Sequence, residues 1–291
     1  MSRSIAYMIY PAVAAATWAS NIVAGRYLVG GGHLDGATLS FYRFLIATPL
    51  LAIGLALAGE TPRPRGMLGR LALAGLLGVA AFNTLLYSSL GYISAAATAF
   101  MATTATPITY LIAAATGRER LRAIPMAGVA LSLAGVYVLL REGIRVWGLL
   151  GLALALLAAV SWSIYTIIVD GVQRMYSPGE TLFWTMAFGT VALAPLGLNR
   201  VDVGPLEWAL ILYVAVVPGI LGYLAWNIGV KVLGPALPSI FIPTIPLLAT
   251  LMEISLLGAK PGGGVALGGG LIVAGVGLVI YERIKGSRHG S

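Results

Sequence analysis

The sequence predicts an all-α membrane protein: ten transmembrane helices, arranged as an inverted repeat of two five-helix halves around a central cavity. Three observations lead there. First, 59% of the 291 residues are hydrophobic and only 10% are charged, with mean hydropathy +0.93. A soluble domain carries about 25% charged residues, so this chain has too little charge to coat a water-exposed surface. A soluble enzyme and a soluble repeat solenoid are excluded. Second, the apolar residues fall into ten runs close to the ~20 residues that a helix needs to cross a ~30 Å hydrocarbon core. Lipid offers the backbone no hydrogen bonds, so such runs must be helical, and the short alternating segments of a β-barrel are absent. Third, features of the first five runs recur in the last five at an offset near 140.

The runs are taken in order. The first, 5–25, follows Arg3 and contains small residues, so a cleavable signal peptide is the competing reading. Its length and its later counterpart favour a span. It carries Trp18 and Asn21, three residues apart and so on one helix face. The second, 37–58, carries Arg43 six residues in. The third, 67–91, carries Asn83 and Tyr87, one turn apart. The fourth, 94–116, contains Pro107 and leads into the loop Gly117-Arg118-Glu119-Arg120-Leu121. The fifth, 123–140, holds Gly128 and Gly135, which allow close helix approach.

The sixth run, 147–170, opens on Trp147, presents Trp162, Tyr165 and Thr166 to one side, and ends at Asp170, expected to be solvated. The seventh, 179–198, rests on apolar composition. The eighth, 205–230, has Trp208 near its start and Tyr223, Trp226 and Asn227 near its end. The ninth, 236–258, contains Pro238, Pro243, Pro246 and Glu253. The tenth, 263–282, holds Gly268 and Gly275. Trp147 and Trp208 lie near outer ends, where the interfacial aromatic belt accounts for them.

Charge sets the orientation. The formal net charge is +8, but its cations lie between apolar runs, which signals topology and not nucleic-acid binding. With the N-terminus inside, the inner segments hold Arg3, Arg63, Arg65, Arg70, Arg118, Arg120, Arg122, Arg174, Lys231, Arg283, Lys285 and Arg288. The outer segments hold only Arg26, Arg141, Arg145, Arg200 and Lys260. That asymmetry predicts a multi-pass membrane protein with both termini cytoplasmic. Lipid is therefore its surroundings, and a monomer is its expected state, with the glycine faces as the alternative place for a dimer.

The repeat divides the chain at 1–143 and 144–291. Gly128 and Gly135 match Gly268 and Gly275, and Pro107 matches Pro246. Ala15 to Trp18 matches Ala159 to Trp162, and the Gly117 loop resembles the one at Gly258. Each half has an odd number of spans, so the second must run opposite to the first. Inverted repeats with a site at their interface are the architecture of secondary transporters.

On these motifs the chain resembles the drug/metabolite transporter superfamily, in its EamA-like, ten-helix branch. Taken over its full length it resembles bacterial aromatic amino-acid exporters of the YddG type. The resemblance implies export of small metabolites through a central cavity across the inner membrane.

Polar residues inside spans are costly and tend to face a cavity or a neighbouring helix. Shifting the third run by about 140 puts Asn83 on Tyr223 and Tyr87 on Asn227, the same pair in exchanged order. Trp18, Asn21, Asn83, Tyr87, Trp162, Tyr165, Tyr223, Trp226 and Asn227 are therefore expected to line the cavity, against the alternative that they knit helices together. Aromatic walls suit a ring or an ammonium, and Asn and Tyr suit a polar end.

Arg43 and Glu253 lie about 9 and 7 Å deep at 1.5 Å per residue, so they can form an ion pair or gate, or each can snorkel separately. Pro107 and Pro246 are candidate hinges, with a static kink as the alternative. Zero Cys and only His33 and His289 leave no metal site and no cofactor to expect. No acidic residue sits at a span midpoint, which favours a facilitative carrier of a small-molecule substrate, not an enzyme. Proton-coupled multidrug or cation export and phosphorylated-sugar transport are the alternatives.

Overall fold

The computed structural model describes residues 6–89, 91–198, 201–258, 260 and 262–288. Arg3, Arg200, His289, Ala259 and Pro261 lie outside the described residues. Among those described, the chain is helical, with one isolated antiparallel bridge between Ile93 and Val146. In chain order the helices are α1 (Ile9–Gly25), α2 (Gly36–Leu57), α3 (Leu68–Ser89), α4 (Ala96–Ala115) and α5 (Ala123–Leu140). They continue with α6 (Leu149–Val172), α7 (Pro178–Gly197), α8 (Pro205–Leu233), α9 (Ala236–Leu256) and α10 (Gly264–Arg288).

Eight of these helices are long and apolar enough to cross a membrane. The other two are α1 and α7. The first has 17 α-helical residues and runs on as a π-helix over Arg26–Gly30. The second has 20 residues but carries Glu180, Thr181, Thr185 and Thr190. Sparse polar residues mark the helix starts. Asp35 caps α2, accepting from Thr38 N at 2.9 Å. Ser177 and Glu180 form a reciprocal capping box at α7.

Glycine sets the tightest packing. A Cβ on Gly128 would stand 2.7 Å from the Gly275 carbonyl oxygen, and one on Gly135 would stand 2.7 Å from that of Gly268. Rising positions on α5 thus meet falling positions on α10. The two helices are antiparallel, and their backbones touch as only glycine permits. Between these contacts Ser132 Oγ donates to Ile272 O at 3.4 Å. A similar approach joins α3 to α7, where a Cβ on Gly189 would stand 2.9 Å from Gly75 O.

Two expected continuous spans are interrupted. The fourth breaks at Thr104, between Ala95–Thr103 and Ala105–Ala115. The ninth breaks between Ala236–Ser239 and Thr244–Leu257. Proline explains both positions: Pro107 cannot donate to Thr103 O, and Pro246 cannot donate to Ile242 O. Each proline stands in the first turn of the second piece, where a missing N–H is tolerated. The longer break in α9 has Pro238 and Pro243 as well. A second irregularity is a π-helical stretch in each of α3 (Leu76–Ala81) and α8 (Ala215–Gly222). In α8 it contains Pro218, whose missing N–H breaks the regular ladder.

Candidate functional site

A cavity of about 130 Å³ lies where the irregular helices meet. An apolar cavity of ~150 Å³ holds a benzene molecule, so this one has room for a single ring. From α1 it takes Trp18, Asn21 and Ile22, and from α3 Phe82, Asn83, Leu86 and Tyr87. Trp18, Asn21 and Ile22 are positions i, i+3 and i+4 of α1, as are Asn83, Leu86 and Tyr87 of α3, one face in each case. Arg43 of α2, Trp162 of α6 and Tyr223 of α8 complete the polar and aromatic wall. The breaks contribute Ala105 of α4 and Ile242 and Ile245 of α9.

The aromatic side chains touch one another. The Trp18 ring centroid is 5.1 Å from that of Trp162, edge-on, and 5.6 Å from that of Tyr223. Phe82 is 5.0 Å from Trp162. Such ring contacts favour fixed ring positions. The π-helical stretches bind across to other helices. Trp18 Nε1 donates to Pro218 O at 3.2 Å, Ser161 Oγ to Leu77 O at 2.9 Å, and Tyr223 Oη to Gly78 O at 3.2 Å. A Cβ on Gly78 would run into the Tyr165 ring, so that contact requires glycine.

Six of the residues singled out from the sequence face the cavity: Trp18, Asn21, Asn83, Tyr87, Trp162 and Tyr223. Tyr165, Trp226 and Asn227 do not. They are buried in the adjoining core, with Trp226 5.3 Å from Trp18 and Tyr165 5.0 Å from Trp162. Tyr165 Oη donates to Asn227 Oδ1 at 3.1 Å, while Asn227 Nδ2 and Trp226 Nε1 have no hydrogen-bond partner among the described residues. In the open part, Asn83 Nδ2 donates to Val79 O at 2.7 Å, and the Tyr87 hydroxyl interacts with Asn21.

Arg43 and Glu253, for which an ion pair or gate and separate snorkelling are the alternatives, do not pair. Glu253 binds Arg26 instead, Oε1 to Nη1 at 2.6 Å. Arg43 does not snorkel either. It is 3% exposed, with its guanidinium carbon 4.9 Å from the centre of the Phe44 ring. Similar depth on two helices does not put two side chains at the same azimuth, and Arg26 stands nearer the outer rim. Asp170, expected to be solvated, is held by Arg118 Nε at 2.8 Å. Near the same rim as Arg26, Tyr27 donates to Glu207 Oε1 at 2.9 Å, and that bond raises its pKa above the ordinary phenol value.

The sequence reading missed the apolar lining. Ala105 stands two residues before Pro107, and Ile245 stands immediately before Pro246.

The EamA-like transporter family matches residues 5–141 and 149–281. The sequence is 28% identical over 280 residues to a protein of Streptantibioticus cattleyicolor named "Probable terminal-alkyne amino-acid exporter", covering 94% of this chain and 92% of that one. It is 26% identical over 279 residues to an uncharacterized transporter of Archaeoglobus fulgidus, covering 91% and 94%. Over 168 residues it is 31% identical to the aromatic amino acid exporter YddG of Ancylobacter novellus, covering 54% and 57%. A solved crystal structure shares the fold with a TM-score of 0.81 at 23% identity, over 96% of this chain and 98% of that chain. The chain belongs to the EamA-like transporter family and is a multi-pass membrane protein.

Proposed function

We propose that this EamA-family transporter exports small metabolites, aromatic or other apolar amino acids foremost, by alternating access through the cavity between its two halves. The observation that carries the reading is the cavity: ring-sized, walled by Trp18, Trp162, Tyr223 and Phe82, and edged by Asn21, Asn83 and Tyr87. Aromatic faces hold a ring or an ammonium. Asn83 has its nitrogen committed to Val79, which leaves its oxygen to accept from an ammonium. Two relatives carry amino-acid exporter in their names.

Ten membrane helices in two inverted halves, 1–143 and 144–291, are part of the proposal. Its support is a symmetry in the contacts. An offset of 140 carries Gly128 onto Gly268 and Gly135 onto Gly275, so the Gly128–Gly275 contact becomes the Gly135–Gly268 contact. Ser132 contacts Ile272, its own counterpart. Antiparallel helices related in this way have a two-fold axis between them, perpendicular to both. In a membrane that axis lies in the bilayer plane, as inverted repeats require. The breaks in α4 and α9 and the π-helical stretches in α3 and α8 obey the same offset. Discontinuous helices at matching places in two halves are characteristic of a transporter's binding site.

In the inner membrane with both termini cytoplasmic, the cavity lies toward the outside, because its lining comes from the later turns of α1 and α3 and the early turns of α2. The inner path is closed by Trp226, Tyr165 and Asn227. Asn21–Tyr87 and Tyr165–Asn227 are one contact in two copies, with Asn and Tyr exchanged. The transport step opens the second to take substrate from the cytoplasm, while the helices that carry the first draw together to shut the outer side. All ten acidic residues are described and none lines the cavity, which supports a facilitative carrier over proton-coupled drug export. A phosphorylated sugar fits less well, since one cation only, Arg43, lines the cavity among the described residues.

The test is flux into proteoliposomes of the purified protein with a panel of amino acids and organic cations. The proposal expects aromatic and large apolar amino acids to move down their gradients with no imposed pH gradient. Strict dependence on a proton gradient, or transport of cations alone, would overturn it. Undiminished flux in the Tyr87→Ala, Tyr223→Ala double variant would remove the site assignment.

A further inference from the structure

Among the described residues, Arg43 is a buried cation without a counter-ion. It is 3% exposed, and its Nε has no hydrogen-bond partner. The paired carboxylates hold other cations: Glu253 holds Arg26, Glu180 holds Arg65, Asp170 holds Arg118 and Glu282 holds Arg122. What Arg43 does have is aromatic: its guanidinium carbon is 4.9 Å from the Phe44 ring centre and 5.9 Å from that of Tyr223.

Burying an ion without a partner costs several kcal/mol even after relaxation, and within a bilayer the cost persists. An arginine escapes it by snorkelling to water, by pairing with a carboxylate, or by receiving a counter-ion from outside. The first two are not taken here. The third is open, because Arg43 lines the cavity.

We propose that Arg43 is the carboxylate anchor of the cavity. The bound solute's carboxylate serves as its counter-ion, so the transported species must carry one anionic group beside an apolar body. The inference rests on the cavity being the transport site. A guanidinium grips a carboxylate through two parallel N–H···O bonds, which no single lysine ammonium reproduces. No second lysine or arginine among the described residues lines the cavity, so a monoanion is matched and a phosphate dianion is left half-compensated. The carboxylate then points toward α2 and the ring toward Trp18 and Trp162.

Intrinsic tryptophan fluorescence reads occupancy, because Trp18 and Trp162 line the cavity. The probes are phenylalanine, phenylalaninamide, phenethylamine and 3-phenylpropionate, added to the purified full-length protein. A charge-assisted hydrogen-bond contact predicts that the two carboxylates bind at least about tenfold more tightly than the amide and the amine. Arg43→Gln should erase this preference by weakening the two carboxylates, and Arg43→Lys should keep part of it. If Arg43→Gln does not fold, the wild-type preference and its weakening in Arg43→Lys decide the matter. Equal binding of phenylalanine and its amide, or a preference that survives in Arg43→Gln, overturns the anchor and leaves amino-acid export standing. Arg43-dependent binding of 3-phenylpropionate without any binding of phenylalanine keeps the anchor and sinks amino-acid export. Binding of neither carboxylate overturns the anchor.

Discussion

Tyr165 and Asn227 hold one hydrogen bond in a place that excludes both water and lipid. Asn227 Nδ2 is already without a partner there. Tyr165→Phe would strip the donor from Oδ1 as well, leaving the whole amide unpaired at a cost of about 1–3 kcal/mol. We expect a lower melting temperature for this variant by scanning fluorimetry, whereas the closed-path account loses its main polar contact if the midpoint does not move. At this scale the sequence was legible wherever helical spacing decided the outcome. Trp18 with Asn21, and Asn83 with Tyr87, share a face by periodicity alone, and each pair lines the cavity. Arg43 and Glu253 were not legible, because depth is only one of a side chain's coordinates. Azimuth depends on how each helix is rotated against its neighbours, and that rotation put Arg26 beside Glu253.

Among the elements, α5 and α10 owe their contact to glycine. A side chain at Gly275 meets the Gly128 carbonyl and Ser132, which are backbone and a short side chain, so neither can move aside. Gly275→Leu should therefore destabilise the protein by about 1–3 kcal/mol through overpacking. Gly277→Ala on the same helix, with nothing within 4 Å, should be neutral or up to about 1 kcal/mol stabilising. Comparing the melting temperatures of the two variants checks this. Equal effects would mean that the glycine contact does not hold the helices together. The glycine motifs were readable because they recur in sequence. The helix breaks were half readable: proline marked where, but not that the fourth and ninth spans divide in two. The π-helical stretch at Leu76–Ala81 gave no signal, since it contains no proline and its carbonyls bond to Ser161 and Tyr223, far along the chain.

Over the whole molecule, charge scarcity alone excluded a soluble protein, and the repeat offset organises the contacts that surround the cavity. Substrate class was the least legible property. It depends on which polar atoms are left unpaired after the helices pack, and composition does not report that. The central claim is that one cavity is reached from opposite sides in turn, open here beside Asn21 and Tyr87 and closed beside Tyr165 and Asn227. The chain has no cysteine, so a single introduced thiol labels without background. The direct measurement is labelling of Tyr87→Cys and Asn227→Cys by a membrane-impermeant maleimide applied to each face of oriented vesicles. The account predicts that position 87 reacts only from the outer face and position 227 only from the cytoplasmic face, and that a transported amino acid protects both. Reaction of both from the same face, or of position 227 from neither face under any condition, would contradict it.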